Sequence, residues 1–105
     1  MMEKNKMKLW IDDVRIPPTK EYIWAKSTNA AIDWLQRFNG MGMFDLVDID
    51  HDAGDFVEDG GDFIKVLDWM EEHGVNIPIH IHSMNPVGAQ RMRQICYRNN
   101  WEVDW

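Results

Sequence analysis

The chain is short of cysteine, of positive charge and of long apolar runs, and each shortage excludes a class of protein. Cys96 is its one cysteine, so no internal disulfide can form and a reducing compartment is expected. No apolar run approaches the roughly 18 residues that suggest a membrane span. Met1 to Lys8 is polar and basic and lacks the apolar stretch of a signal peptide. A cytoplasmic protein without a membrane partner is therefore expected. Lys and Arg number 11 against 18 Asp and Glu, for a net charge of −7. That balance argues against non-specific binding of DNA or RNA polymers, which needs cations to replace counterions. It leaves room for a small phosphorylated ligand held through a metal. P-loop, GxGxxG, CxxC and HExxH patterns are all absent, as are repeats, linkers and low-complexity segments.

What is present suits one domain over residues 1–105, a length inside the usual domain range. Six tryptophans and four phenylalanines supply an aromatic core in which few residues do much of the packing. Apolar spacing alternates between strand and helix periods. Lys6 to Ile11, Tyr22 to Ala25, Phe44 to Ile49 and Ile77 to Ile81 read as strands, with Trp101 to Trp105 as a last edge strand. Pro17-Pro18 enforces a turned or extended connection after the first strand. Ser27 or Thr28 caps a helix over about Asn29 to Asn39, stopped by Gly40. Ala53 to Gly61 reads as a mobile loop. Phe63, Leu67 and Met70 mark a second helix that ends at Gly74. Asn85-Pro86 opens a third, running to about Tyr97. This order predicts a parallel sheet with helices on both faces.

Three polar clusters directly follow apolar runs: Asp12-Asp13-Val14-Arg15, Asp50-His51-Asp52 and His82-Ser83-Met84-Asn85-Pro86. In a parallel sheet all three gather at the carboxyl edge, where open α/β sheets bind ligands. Adjacent aspartates raise each other's pKa unless a counter-charge is near, so Asp12 and Asp13 call for Mg²⁺ or for Arg15. Asp50 ends its strand and has the options of metal ligand, nucleophile or base. Asp48 shares its face one step deeper, an awkward place for a carboxylate. His51 taken alone reads as a loop histidine, His80 as a partly buried strand residue, and His82 as either structural or functional. Ser83 and Asn85 sit before a helix N-terminus, a ready anion site. Arg91 reaches a phosphate only if its helix starts at that site. Glu58-Asp59 and Glu71-Glu72 read as solvated faces.

The layout resembles the receiver domain of bacterial two-component signalling: an acidic pair after strand one, Asp50 at the phosphoacceptor position, and Ser83 after strand four. The receiver lysine of strand five has no counterpart in Trp101-Glu102-Val103-Asp104-Trp105. More specifically, Ile11-Asp12-Asp13-Val14-Arg15, Ile49-Asp50-His51-Asp52 and His82-Ser83-Met84-Asn85-Pro86-Val87-Gly88 resemble the cyclic-phosphate processing receiver domain family. That family pairs L-D-D-x-R, L-D-H-D-L and H-S-x-N-P-x-G, and Arg91-Met92 also fits. Ile replaces its leucine twice, and Ala53 replaces the last leucine of the central motif. The resemblance implies a flavodoxin-like, doubly wound parallel sheet of about five strands in the order 2-1-3-4-5.

Three functions follow as expectations. The first is a metal-assisted phosphoesterase acting on a cyclic phosphate. In it Asp12, Asp13, Asp50 and Asp52 hold Mg²⁺ or Mn²⁺, and Asp50, His51 and His82 carry the chemistry. Arg15, Ser83, Asn85 and Arg91 take the phosphate oxygens. The second is a non-catalytic binding module, for which an exposed aromatic patch including Trp101 and Trp105 would indicate a protein partner. The third is a phosphoaccepting receiver that uses Asp50.

Overall fold

Each short apolar run of the sequence becomes a strand, because all the runs pair in one parallel sheet. In a computed structural model, residues 6–38 and 42–104 are described. The strands are β1 (Met7–Ile11), β2 (Tyr22–Ala25), β3 (Phe44–Ile49), β4 (Ile79–Ile81) and β5 (Val103–Asp104). Their order in the sheet is β2-β1-β3-β4-β5, and every neighbouring pair is parallel. The helices are α1 (Thr28–Phe38), α2 (Ile64–Glu72) and α3 (Pro86–Arg98), with a short 3₁₀ turn at Gly54–Phe56. Pro78 falls just outside β4, where its missing N–H costs no ladder bond. No helix among the described residues is long and apolar enough to cross a membrane.

Strand register sorts the side chains into two unlike faces. Ile23, Leu9, Val47, Ile79 and Val103 form one transverse row, and Ala25, Ile11, Ile49 and Ile81 form the next. Both rows belong to the apolar core, with Leu35 of α1, Leu67 and Met70 of α2, and Met92 and Ile95 of α3. All three helices thus lie on this face, and α2 packs against both α1 and α3. The expectation of helices on both faces is corrected here. The connections β2 to β3, β3 to β4 and β4 to β5 all advance across the sheet in one direction, so right-handed crossovers put their helices on one side. The β1 to β2 connection, which would reach the other side, carries Pro17-Pro18 and no helix. The opposite face presents the row Trp24, Trp10, Asp48, His80 and Asp104.

Several loop residues read as solvent-facing are structural ties. Ser27 caps α1 by accepting from the Ala30 N–H at 3.1 Å, while its hydroxyl donates to Asp59 at 2.6 Å. Asn29 donates to the same carboxylate at 3.0 Å, and the Thr28 hydroxyl donates to the Gly61 carbonyl at 2.9 Å. The segment from Ala53 to Gly61, expected to be mobile, is therefore tied to the start of α1. Asp59 is a tether, and hydrogen bonds from Ser27 and Asn29 hold its carboxyl below the usual range. Glu71, likewise read as solvated, receives both arms of Arg98 at 2.6 and 2.8 Å and the Asn99 amide at 2.6 Å, which joins α2 to α3. Arg98 and then Asn99 bring its carboxyl down to about 2. Trp101 is buried in the core, so it forms no exposed aromatic patch. Asn39, Gly40 and Trp105 lie outside the described residues.

Candidate functional site

The carboxyl edge gathers the three clusters through β1, β3 and β4. His82, one residue past β4, lies between two buried carboxylates from the other two strands. Its Nδ1 is 2.6 Å from Asp48 Oδ1 and its Nε2 is 2.9 Å from Asp12 Oδ2. Ionised carboxylates only accept, so with both of them ionised each ring nitrogen donates, the arrangement of an imidazolium. Burial works against that charge, but the bonds to Asp48 and Asp12 outweigh it and raise the His82 pKa. The ring also stacks flat on Trp10, with centroids 4.1 Å apart and planes 3° apart. Trp10 is itself fixed by its indole N–H on the Arg15 carbonyl at 2.8 Å.

Asp12 is fully buried, and both of its oxygens are engaged, with one lone pair of Oδ2 remaining. Its Oδ1 accepts the Val14 and Arg15 amides, each at 2.9 Å, and its Oδ2 faces His82. Burial raises its pKa, yet the Arg15 and Val14 amides and then His82 prevail and leave it lowered. Ligand atoms of Asp12, Asp13 and Asp50 lie within 4.8 Å of one another. Asp13 feels that crowding: burial, then the charges of Asp12 and Asp50, raise its pKa despite a backbone hydrogen bond. One imidazolium does not balance Asp12, Asp13, Asp48 and Asp50, and Arg15 is exposed, with Nη1 3.5 Å from the His82 carbonyl. Three hard oxygen donors in an uncompensated negative field fit a divalent cation such as Mg²⁺ or Mn²⁺. Gly54, at φ +56°, closes over Asp13 of this trio. A Cβ there would lie 2.1 Å from Asp13 Oδ2, so the close approach requires glycine.

The second half of the edge is the start of α3. Asn85 caps it by accepting the Gly88 N–H at 3.0 Å, and Pro86 occupies the first helical position, as the Asn-Pro pair predicts. Ser83 Oγ accepts the Asn85 amide at 3.1 Å. Pro86 has no N–H and Asn85 takes that of Gly88, so Val87 carries the remaining first-turn donor. The His51 ring packs over this turn, where a Cβ on Gly88 would come within 2.4 Å of it. His51 Nδ1 is 2.7 Å from Asp52 Oδ1, and the Asn85 amide donates to Asp52 at 3.3 Å. Those bonds, that from His51 foremost, lower the Asp52 pKa against burial. An ionised Asp52 makes Nδ1 the donor, so in the neutral form of the ring Nε2 is the acceptor.

Most sequence-derived candidates converge, with two displacements. Asp52 was expected beside Asp12, Asp13 and Asp50, but it groups with His51 and Asp62, whose ligand atoms also lie within 4.8 Å of one another. Arg91 is exposed on the second turn of α3. Residues 7–98 match the family described as the cyclic-phosphate processing receiver domain. The chain belongs to that family. A comparison with curated proteins finds no match. For this family member, the order of the sheet and the three strand-end motifs agree with the resemblance read from sequence. Sequence reasoning missed the roles of Asp48, Trp10, Gly54 and Gly88. The signal for Asp48 was its oddity, a carboxylate one step inside the end of a strand that reads as buried.

Proposed function

We propose that this cyclic-phosphate processing receiver domain is a metal-dependent phosphoesterase that opens a cyclic phosphate, with cyclic nucleotides as one substrate class. The observation that carries the reading is the placement of the Asp12, Asp13 and Asp50 trio beside the start of α3, on one edge of one sheet. Asp12, Asp13 and Asp50 hold the cation, Mg²⁺ or Mn²⁺, which when bound neutralises a phosphate oxygen and acidifies water. Arg15, the Ser83 hydroxyl and the Val87 amide take the phosphate oxygens, and Asn85 holds that helix start in shape. Arg91 adds long-range attraction for the anion. His51 Nε2 takes a proton from water as the new O–P bond forms, and returns it to the ester oxygen as the ring P–O bond breaks. Asp52 orients His51 for both transfers. His82, with both nitrogens engaged, keeps a supporting place.

The test is hydrolysis of 2′,3′- and 3′,5′-cyclic nucleotides and other cyclic phosphates, with Mg²⁺ or Mn²⁺ and with chelator. Asp50→Asn is expected to abolish metal-dependent turnover, and His51→Ala to lower kcat by about 10²–10⁴-fold. Turnover that persists in chelator, or in Asp50→Asn, sinks the metal-dependent reading. A second reading, a binding module without turnover, is favoured by the engagement of both His82 nitrogens. It predicts that the same cyclic phosphates bind and are not consumed. A phosphoaccepting role would show instead as one phosphate added to Asp50 by a small phosphodonor.

A further inference from the structure

Asp48 has no part in the chemistry proposed above, yet it is buried on a strand that is otherwise apolar at that depth. A buried ion pair adds little stability over apolar packing of the same volume, so stability alone is a weak reason for a carboxylate there. Its placement offers a better one. Asp48 Oδ1 holds His82 Nδ1 at 2.6 Å, and His82 Nε2 holds Asp12 Oδ2 at 2.9 Å. Ring rotation, which would break both bonds, is opposed by the stack on Trp10. The other Asp12 oxygen is fixed by the Val14 and Arg15 amides. A rigid chain thus runs from the interior of β3 to one member of the acidic trio. Carboxylate–histidine pairs commonly orient metal ligands by the same logic, with the histidine itself as ligand. Here the histidine orients a carboxylate.

We propose that Asp48 is a positioning residue for the cation site: it holds the His82 ring in place, and His82 holds Asp12. The proposal rests on the cation reading of the Asp12, Asp13 and Asp50 trio. The nearby His80–Asp104 pair, exposed and joining β4 to the edge strand β5, is the internal control.

The experiment titrates purified protein with Mn²⁺ and counts free ion by electron paramagnetic resonance, without substrate. Asp48→Asn is expected to weaken Mn²⁺ binding about 10–100-fold, and Asp104→Asn to leave it unchanged. Asp48→Glu, which keeps the charge, recovers part of the affinity, an outcome a packing role does not give. Nitrogen-15 spectra of the metal-free protein are expected to show the His82 Nδ1 signal displaced in Asp48→Asn, which reports the loss of its bond to Asp48. Metal-free melting curves identify any variant that fails to fold. If Asp48→Asn does so, the Mn²⁺ affinity and the His82 Nδ1 displacement of Asp48→Glu decide. Binding within twofold of wild type in Asp48→Asn, or a His82 Nδ1 signal that does not move in that variant, overturns the proposal. If Asp50→Asn loses Mn²⁺ while Asp48→Asn keeps it, the cation reading stands and this proposal alone falls. Wild-type protein that binds no Mn²⁺ removes both.

Discussion

His80 and His82 lie two residues apart on the same side of the sheet, and each meets an aspartate from a neighbouring strand. His80 Nδ1 is 2.5 Å from Asp104, with side-chain exposures of 36% and 78%. His82 is 11% exposed and sits between Asp48 at 6% and Asp12 at 0%. The short distances are alike, and the surroundings are not. Water can replace either partner of the outer pair at little cost. Inside, removing the cation leaves two carboxylates with neither solvent nor counter-charge. Burial, more than the contact distance, decides what a histidine–aspartate pair contributes.

The largest expected effect breaks the inner pair. His82→Ala is expected to cost about 3–5 kcal/mol of unfolding free energy in denaturant titrations, a large share of the stability of a domain this size. A loss below about 1 kcal/mol would mean that burial does not separate the two pairs.

A subtler break uses pH on the metal-free protein. The His82 pKa is raised above its ordinary 6.5, so its stabilisation is fully present below pH 6.5 and is lost as the pH rises through the raised native value. Asp12 runs the other way. Its pKa is lowered from 3.8, so its contribution is present above pH 3.8 and is lost as the pH falls through the lowered value. Unfolding free energy of the wild type should decline on the alkaline side, and His82→Gln should flatten that decline. An unchanged alkaline slope in His82→Gln would assign it to other groups.

The smallest effect belongs to the outer pair. His80→Ala is expected to change stability by about 0.2–1 kcal/mol, and by less in high salt. A larger, salt-insensitive loss would show that this face of the sheet is covered in solution.

Much of the fold was legible because its signals are local. Tyr22–Ala25 and Phe44–Ile49 have the strand limits that their apolar runs predict, and Asn85-Pro86 opens α3 as capping chemistry requires. The acidic trio was legible for a related reason: each member follows a strand, and parallel strands share their carboxyl edge. Residues whose meaning depends on a distant partner were not legible. Asp59 read as solvated because Ser27 and Asn29, its hydrogen-bond donors, lie some thirty residues away. Trp101 read as part of an edge strand that an exposed aromatic patch could include, and the core closes over it. Asp52 read as a fourth member of the trio, but its hydrogen bonds with His51 and Asn85 turn it toward α3.

By itself, then, the sequence determined the alternation of strands and helices, the acidic character of one sheet edge and the family. All three are carried by short runs of neighbouring residues, and short-range sterics and hydrophobic spacing act there directly. Tertiary structure alone decided that the helices share one face, that His82 is held by Asp48 and Asp12, and that His51 lies over Gly88. These depend on register between strands 34 and 70 residues apart in the chain. A one-residue slip would turn Asp48 toward the helices and leave His82 without its partner.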